Sequence, residues 1–286
     1  MGVYWFRTNT GGAPQEITVR DSSFATKVAD PFKMMEMNVD DFVVEPGYVM
    51  MDVHERIETS SCIITSVEAY IKRGCTLLLV QHLVTSLCWY REQYEQFLER
   101  IQSPGLEYMI IPVVPVHLLK PEVVRFFSRK GCPFLCVKVS NADDLFAVKW
   151  EWIVQAQGYK RIPFTMIVKD LENTSNNYAE LWSKVCDQYG IIKLTDLQDD
   201  EILSFQNLKD SGIFPKQGGI ISGGSADYNL FYTGRGRGVD DEPHFLYHDS
   251  VPDVTISKGR ILQVNQIVSK DVKGTHRKVS FHKHFV

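Results

Sequence analysis

The chain has 286 residues, of which 44% are hydrophobic and 23% charged, a composition typical of a globular protein with one large or two smaller cores. Its formal net charge of −4 gives no general attraction for nucleic acid or anionic lipid. No apolar run reaches the roughly 20 residues of a membrane helix, and the first residues lack the basic and apolar regions of a signal peptide. We therefore expect a cytoplasmic protein whose partner is a small molecule or another protein.

Cysteine usage indicates a reduced protein. Most thiols lie within apolar runs, as Cys75 does in the run 74–80, where a thiol behaves as a small hydrophobic group. Cys132 and Cys136 would share one face of a strand, but one such pair cannot complete a zinc site. We predict free core thiols rather than disulfides. The six positions are Cys62, Cys75, Cys88, Cys132, Cys136 and Cys186.

The pattern of apolar residues changes once near the start of the chain. Residues 1–45 contain short alternating stretches, such as 16–20 and 42–44, which favour a few β-strands. From Pro46 onward, short apolar runs alternate with longer stretches that have an apolar residue every three to four positions. This alternation is typical of βα units and predicts an α/β body with a parallel sheet.

About six strands are predicted in this body, and they are apolar throughout, as strands covered by helices on both faces are. Their ranges are 48–53, 75–80, 108–116, 134–139, 164–168 and, with a weaker pattern, 191–194. The helices are predicted at about 60–73, 86–102, 119–130, 142–157, 175–189 and 199–210.

After Gly212 the composition returns to β type, with apolar stretches separated by Gly-rich turns. Three parts are therefore predicted. Residues 1–45 form the N-terminal part of a small β-domain, residues 46–211 form the α/β body, and residues 212–286 form the C-terminal part of the β-domain. The two ends can pair into one sheet that stands beside the body.

Four ordered segments form a pattern that extends over most of the chain. They read PGYVMMDVH at 46–54, GCTLLLV at 74–80, LKDSGIFPKQGGIISGGSADYNLF at 208–231 and VTISKGRIL at 254–262. In this order they resemble the opening strand, second strand, barrel exit and following hairpin of the amidohydrolase superfamily, in particular the group of dihydroorotase, allantoinase and dihydropyrimidinase.

The resemblance implies a (β/α) TIM-like barrel, a composite β-domain built from both termini, and hydrolysis of cyclic amides by one or two divalent metal ions. A complete barrel takes about 250 residues, whereas the body here extends only from residue 46 to residue 210. We therefore expect a reduced barrel that lacks about two βα units.

The resemblance also locates the metal ligands of the family, and few of them are present. Asp52 and His54 occupy the positions of the two histidines on the first strand, and Lys138 fits the position of the bridging lysine on the fourth. No histidine occurs between His117 and His244, so both mid-barrel imidazoles are missing. Asp52, His54 and Lys138 are therefore the candidate remnants of a metal site, a marginal set for activating water.

We accordingly predict a catalytically inactive, amidohydrolase-like protein with a scaffolding, regulatory or partner-binding role and no cofactor. The alternative is an enzyme that hydrolyses C–N bonds of cyclic amides with one divalent metal ion, such as zinc, in a reduced mononuclear site. The missing units are expected to leave an apolar sheet edge that needs covering. The predicted partner is therefore a second copy of the chain or an active relative, with a small molecule also compatible and neither nucleic acid nor membrane expected.

Two further groups of residues carry chemistry. Arg235 and Arg237, within the glycine-rich run 234–238, could present cations and backbone amides to an anion, although such a run is more often a turn between strands. The segment 278–286 contains His282 and His284 two positions apart, with His276 upstream. We interpret these histidines as residues of an exposed tail rather than as metal ligands.

Overall fold

The computed structural model describes residues 3–8, 15–25, 34–52, 57–101, 105–168, 175–194, 197, 202–233, 251–270 and 273–280. The strands in these ranges are β1 (Tyr4–Thr8), β2 (Gln15–Arg20), β3 (Ser23–Ala25), β4 (Met35–Glu36), β5 (Phe42–Pro46), β6 (Tyr48–Met51), β7 (Cys75–Leu83), β8 (Glu107–Pro115), β9 (Leu135–Val139), β10 (Phe164–Val168), β11 (Tyr228–Tyr232), β12 (Val254–Ser257), β13 (Arg260–Val264) and β14 (Ile267–Val268). The helices are α1 (Ile63–Lys72), α2 (Tyr90–Arg100), α3 (Pro121–Lys130), α4 (Trp150–Gln157), α5 (Ser175–Tyr189) and α6 (Phe205–Asp210).

The body contains a five-stranded parallel sheet in the order β10-β9-β8-β7-β6. On β7, alternate residues face opposite sides, so Leu78 and Val80 join the core under the helices while Leu77 and Leu79 join a second core on the inner face. Burial on both faces explains why these strands are continuously apolar. The predicted α/β class with a reduced, barrel-like sheet is confirmed.

The two edges of this sheet are extended by single bridges. Lys193, in the predicted sixth strand 191–194, makes an isolated parallel bridge to Phe164 of β10. At the other edge Ile202 bridges Met50 of β6 in the antiparallel direction, and the Leu203 N–H donates to the Val49 carbonyl. The prediction of a helix from 199 is therefore wrong at residues 202–204, since Ser204 is the N-cap of α6.

Both ends of the chain contribute to the remaining sheets, as predicted. One sheet has the order β14-β13-β12-β11-β5, and in it β5 from the N-terminal part pairs with β11 from the C-terminal part. The other has the order β3-β2-β1-β4. Their facing sides share one apolar core, in which Phe6 and Phe24 contact the ring of Tyr228. The body and the composite β-domain meet at Gly47, where an added Cβ would overlap the side chain of Thr76.

Asp227, in the barrel-exit segment 208–231, is a buried carboxylate that bonds the composite β-domain. Its carboxylate is 2% exposed and accepts hydrogen bonds from the Ser257 hydroxyl at 2.9 Å and the Lys258 N–H at 2.7 Å. Burial raises the pKa of this carboxyl, and the hydrogen bonds oppose that rise. Asp227 thus joins the start of β11 to the turn between β12 and β13.

The segment 273–280 is inserted into the sheet of the body. Its Thr275 carbonyl accepts from the Tyr108 N–H at 3.2 Å, and its Arg277 N–H donates to the Tyr108 carbonyl at 2.7 Å. The Val279 N–H donates to the Gly131 carbonyl at 2.9 Å. Because β9 pairs with β8 only from Val113 onward, this segment occupies the space between the start of β8 and the approach to β9. The expectation of an exposed tail over residues 278–286, with His276 upstream, is therefore wrong at Val279, which is buried, and at His276, which is half-buried. His282 and His284 lie outside the described residues.

Glu107, the first residue of β8, anchors this segment. Its carboxylate is 3% exposed. It accepts from the hydroxyl and the N–H of Thr275 and pairs with Lys258 and Arg277. One buried carboxylate therefore joins the body, the inserted segment and the turn of the composite β-domain.

His276 is expected to make the stability of the protein depend on pH. The ring of His276 stacks on Tyr108. Burial and the positive charges of Lys278 and Lys130 lower the pKa of His276 to about 4, although the negative charge of Glu95 raises it. Below the ordinary pKa of a histidine, about 6.5, the unfolded state then binds a proton that the folded state rejects. The free energy of unfolding should fall as the pH falls from 6.5 towards 4, and should be insensitive to this group above that window.

Urea unfolding at several pH values tests this expectation. The free energy of unfolding of His276→Gln should depend less steeply on pH between 6.5 and 5 than that of the wild type. The difference in slope should correspond to the uptake of at most one proton on unfolding. Identical pH profiles for the two proteins would contradict the assignment.

The cysteines are free, and four are buried as predicted: Cys75, Cys132, Cys136 and Cys186. Cys62 and Cys88 are exposed, so the core prediction is wrong for these two. Among the helices that the structure describes, none is long and apolar enough to cross a membrane.

Candidate functional site

Polar residues gather where the parallel strands of the body end. Asp52 follows β6, Gln81 and His82 lie near the end of β7, and Lys138 lies near the end of β9. In α/β sheets, ligands generally bind outside the carboxyl ends of the strands. A site is therefore expected at this end of the sheet.

Asp52 is fully buried, and backbone groups hold its carboxylate. Oδ1 accepts from the Gln81 N–H at 2.7 Å, and Oδ2 accepts from the Ile57 N–H at 2.9 Å. These bonds tie the end of β6 both to β7 and to the short helical turn Ile57–Thr59. Both carboxylate oxygens thus serve the backbone, which is the arrangement of a structural carboxylate.

Gln81 lies beside Asp52 near the end of β7. Its amide Nε2 donates to the Asp52 carbonyl at 2.9 Å. Its Oε1 is buried and has no hydrogen-bond partner among the residues that the structure describes. This single acceptor is neutral and does not replace a histidine or carboxylate as a metal ligand.

Lys138 stands apart from Asp52. On β9 it is level with Pro115 of β8 and Ile167 of β10, and it is half-buried. The strands β7 and β8 separate β9 from β6. The predicted metal set remains a prediction, because His54 lies outside the described residues, as do Arg235 and Arg237 of the predicted anion site.

The inner face of the sheet is covered by the chain itself. Leu194 lies beside β10, and Leu203 lies beside β6. Together with the chain that follows, they pack on the inner residues of the strands. The covering side chains are Leu194, Leu197, Leu203, Leu208, Ile213 and Phe214, joined by Val279 of the inserted segment. We call these residues the inner cover. Apolar side chains therefore fill the inner face of the sheet, next to the strand ends where the resemblance placed a metal site.

Solved structures match this architecture over nearly the whole chain. A D-hydantoinase aligns with a TM-score of 0.60 at 11% identity, covering 98% of this chain and 99% of that chain. A dihydropyrimidinase from Brevibacillus agri aligns with a TM-score of 0.59, 11% identity and the same coverage. The chain has the amidohydrolase fold. This agrees with the resemblance seen in the sequence segments.

The amidohydrolase fold extends to more distant structures. An N-isopropylammelide isopropylaminohydrolase from Burkholderia multivorans aligns with a TM-score of 0.53 at 10% identity, covering 94% of this chain and 100% of that chain. No family model matches the sequence of this chain, and no curated protein matches it significantly. At these identities the likeness shows the fold, and the chemistry has to be judged from the residues.

The described residues do not fit the metal centre that the resemblance implies. No group of three or more His, Cys, Asp or Glu side chains that could hold a metal ion occurs within the described ranges. A catalytic zinc ion needs about three protein ligands and an open position for water. Here one candidate carboxylate caps the backbone, and the candidate lysine lies three strands away. Within the described residues, the amidohydrolase fold is therefore not accompanied by a recognisable donor set.

A buried carboxylate–imidazole pair escaped the sequence prediction. His82 is 3% exposed, its Nδ1 lies 2.9 Å from Glu58 Oε1, and its ring stacks on Phe97 with centroids 4.7 Å apart. Burial opposes ionisation of Glu58, but bonds from His82 and the Leu83 N–H, with the charges of His82 and Arg100, lower the pKa of Glu58. A histidine inside a continuously apolar strand was the available signal.

The position of His82 argues for a structural role. Alternation along β7 places its ring under α2, on the side opposite the inner cover, and its Nε2 is buried without a hydrogen-bond partner in the described part of the chain. The pair ties the turn after β6 to the end of β7, as the hydrogen bonds of Asp52 also do.

Proposed function

We propose that this chain is a non-catalytic protein with the amidohydrolase fold, acting by binding a partner or ligand rather than by hydrolysing a cyclic amide. The observation that carries the proposal is the engagement of the Asp52 carboxylate by the backbone at the strand ends, where the family places its site. Hydrolysis needs a water activated by a metal ion that several protein side chains hold.

The polar residues at the strand ends support the same conclusion. The Asp52 carboxylate is already bonded to two backbone amides, and releasing it to a metal ion would leave two buried N–H groups without these acceptors. The absence of histidines between His117 and His244 removes the imidazoles that would complete a site. Loss of several ligands lowers metal affinity and leaves bound water less acidic.

Metal loading combined with Asp52→Asn tests the proposal. The full chain, incubated with zinc and dialysed, should retain no stoichiometric metal and should not hydrolyse dihydroorotate, hydantoin or allantoin. Asp52→Asn should lower the free energy of unfolding by about 1–3 kcal/mol, since an amide nitrogen cannot accept from the backbone. This loss should be the same with and without zinc, because Asp52 acts on the backbone and not on a metal.

The alternative, a reduced mononuclear site, gives the opposite pattern. Zinc would then stabilise the wild type but not Asp52→Asn, and His54→Ala would abolish hydrolysis of a cyclic amide. Lys184→Gln, an exposed substitution on α5, is the matched control and should leave metal content and stability unchanged. Stoichiometric zinc together with His54-dependent hydrolysis would overturn the proposal.

A further inference from the structure

A cavity of about 390 Å³ lies outside the parallel sheet, between the loops that follow β8 and β9. Buried apolar side chains, Val116, Leu119 and Ile153, form its base. The indole of Trp152, 57% exposed, forms a wall. A cavity of this size falls within the range that small-molecule sites occupy, and its position at the carboxyl ends of parallel strands is where such sites occur.

Two helices begin at this cavity, and both have a lysine at the N-cap. Lys120 precedes α3 and Lys149 precedes α4, both line the cavity, and neither helix start has a side-chain cap. Helix N-termini carry partial positive charge and ordinarily favour Asp, Ser or Thr there. Cations at both N-termini repel that charge, and a bound anion would relieve the repulsion.

The neighbouring charges limit what the anion can be. The first-turn acids Glu122 and Glu151 offset the helix dipoles but do not line the cavity. Asp144 does line it, so the two lysines of the lining face one carboxylate, which leaves an excess of a single positive charge among these three side chains. A dianion would meet repulsion from Asp144, whereas a monoanion matches the excess.

We propose that this cavity binds a small monocarboxylate with a planar apolar body, its ring on Trp152 and the apolar base and its carboxylate between Lys120 and Lys149. Planar rings stack on exposed indoles, and carboxylates form charge-assisted hydrogen bonds with ammonium groups. The cavity shares no residue with the inner cover, so the proposal holds whether or not the barrel is inactive.

Isothermal titration calorimetry of the full chain with 2-naphthoate tests the site. We expect a Kd on the order of 0.5 mM, as ligand efficiency allows for a ligand of this size. The neutral isostere 2-naphthamide should bind about five- to tenfold more weakly, because it loses two partly exposed ion pairs. The double variant Lys120→Gln, Lys149→Gln should weaken naphthoate by the same factor and leave naphthamide unchanged.

Two further variants and one competitor distinguish binding at this site from nonspecific binding. Trp152→Ala should weaken both ligands, because it removes the stacking wall. Lys184→Gln, an exposed lysine on α5, should change neither. Inorganic phosphate should not displace naphthoate, given the repulsion from Asp144. The proposal is overturned if naphthoate gives no saturable binding at 5 mM, a concentration about tenfold above the expected Kd. It is also overturned if naphthoate binds no better than naphthamide, if the lysine double variant binds naphthoate normally, or if phosphate displaces naphthoate.

Discussion

Replacing Glu107 with alanine is expected to lower the free energy of unfolding by about 3 kcal/mol, the lower part of the range for breaking a buried charge pair. The carboxylate is 3% exposed and is the shared acceptor of Lys258, Arg277 and Thr275. Because the Lys258 and Arg277 side chains are partly exposed, they can regain water, which limits the loss. Urea denaturation monitored by circular dichroism measures it.

The surface pair of Glu95 and Lys130 provides the matched control. Its carboxylate is half-exposed, so Glu95→Ala should cost less than about 1 kcal/mol. Glu107→Gln should lower the free energy of unfolding by an amount between those of Glu95→Ala and Glu107→Ala, since the amide keeps one acceptor oxygen for Thr275. Equal losses for Glu95→Ala and Glu107→Ala would show that the buried carboxylate does not anchor the inserted segment.

Gly274→Ala is expected to be comparably damaging, for a steric reason. A Cβ at this position would overlap the backbone of Leu106, and backbone atoms cannot rotate away as the end of a side chain can. Overpacking costs about 1–3 kcal/mol, and displacement of the segment would also expose Val279, about 1.5 kcal/mol more. We therefore expect a loss of about 3 kcal/mol or more and faster proteolysis within residues 273–280.

Gly158→Ala is the control for this substitution. Gly158 has an ordinary right-handed helical conformation at the end of α4, and its nearest contact to an added Cβ is an ordinary 3.5 Å. Alanine there should be neutral or stabilising by up to about 1 kcal/mol. A wild-type free energy of unfolding for Gly274→Ala would contradict the close packing of the segment on Leu106.

The strands of the body could be predicted because burial on both faces makes each of them visible locally. The range 164–168 agrees at both ends with β10. β7 extends past its predicted end at residue 80 to Leu83, and β8 begins and ends one residue earlier than predicted. The sixth strand was predicted from a weaker pattern, and among its described residues one bridge formed, at Lys193. Strand identity is a local property, whereas the extent of pairing depends on the neighbour.

The inserted segment and the inner cover could not be predicted in this way. Residues 275–279 have no strand-like apolar alternation strong enough to stand out, and their partners Glu107 and Tyr108 lie 168 positions earlier. Leu203 and Leu208 fall in the range predicted as a helix, and only the tertiary contacts reveal that they cover the sheet. Long-range placement of this kind leaves no periodic signal in the sequence.

At the candidate site, the sequence predicted Asp52 but not its role. A carboxylate at a strand end is compatible with a metal ligand and with a backbone cap, and the distinction depends on where the N–H groups of Ile57 and Gln81 point. Glu58 and His82 illustrate the same limit, since His82 stands out in its apolar strand but nothing in the sequence shows that Glu58, 24 positions earlier, is its partner. The cavity beside Trp152 is likewise formed by two loops that are distant in the sequence.

The insertion of residues 273–280 beside β8 has a consequence for the order of folding. During synthesis, β8 leaves the ribosome with one side still lacking a partner along its first residues, and about 165 further residues must follow before that partner exists. Completion of the sheet therefore has to wait for residues 273–280 and involves contacts of high sequence separation, which slow folding. A truncation that removes residues 273–280 should accordingly reduce the yield of folded body.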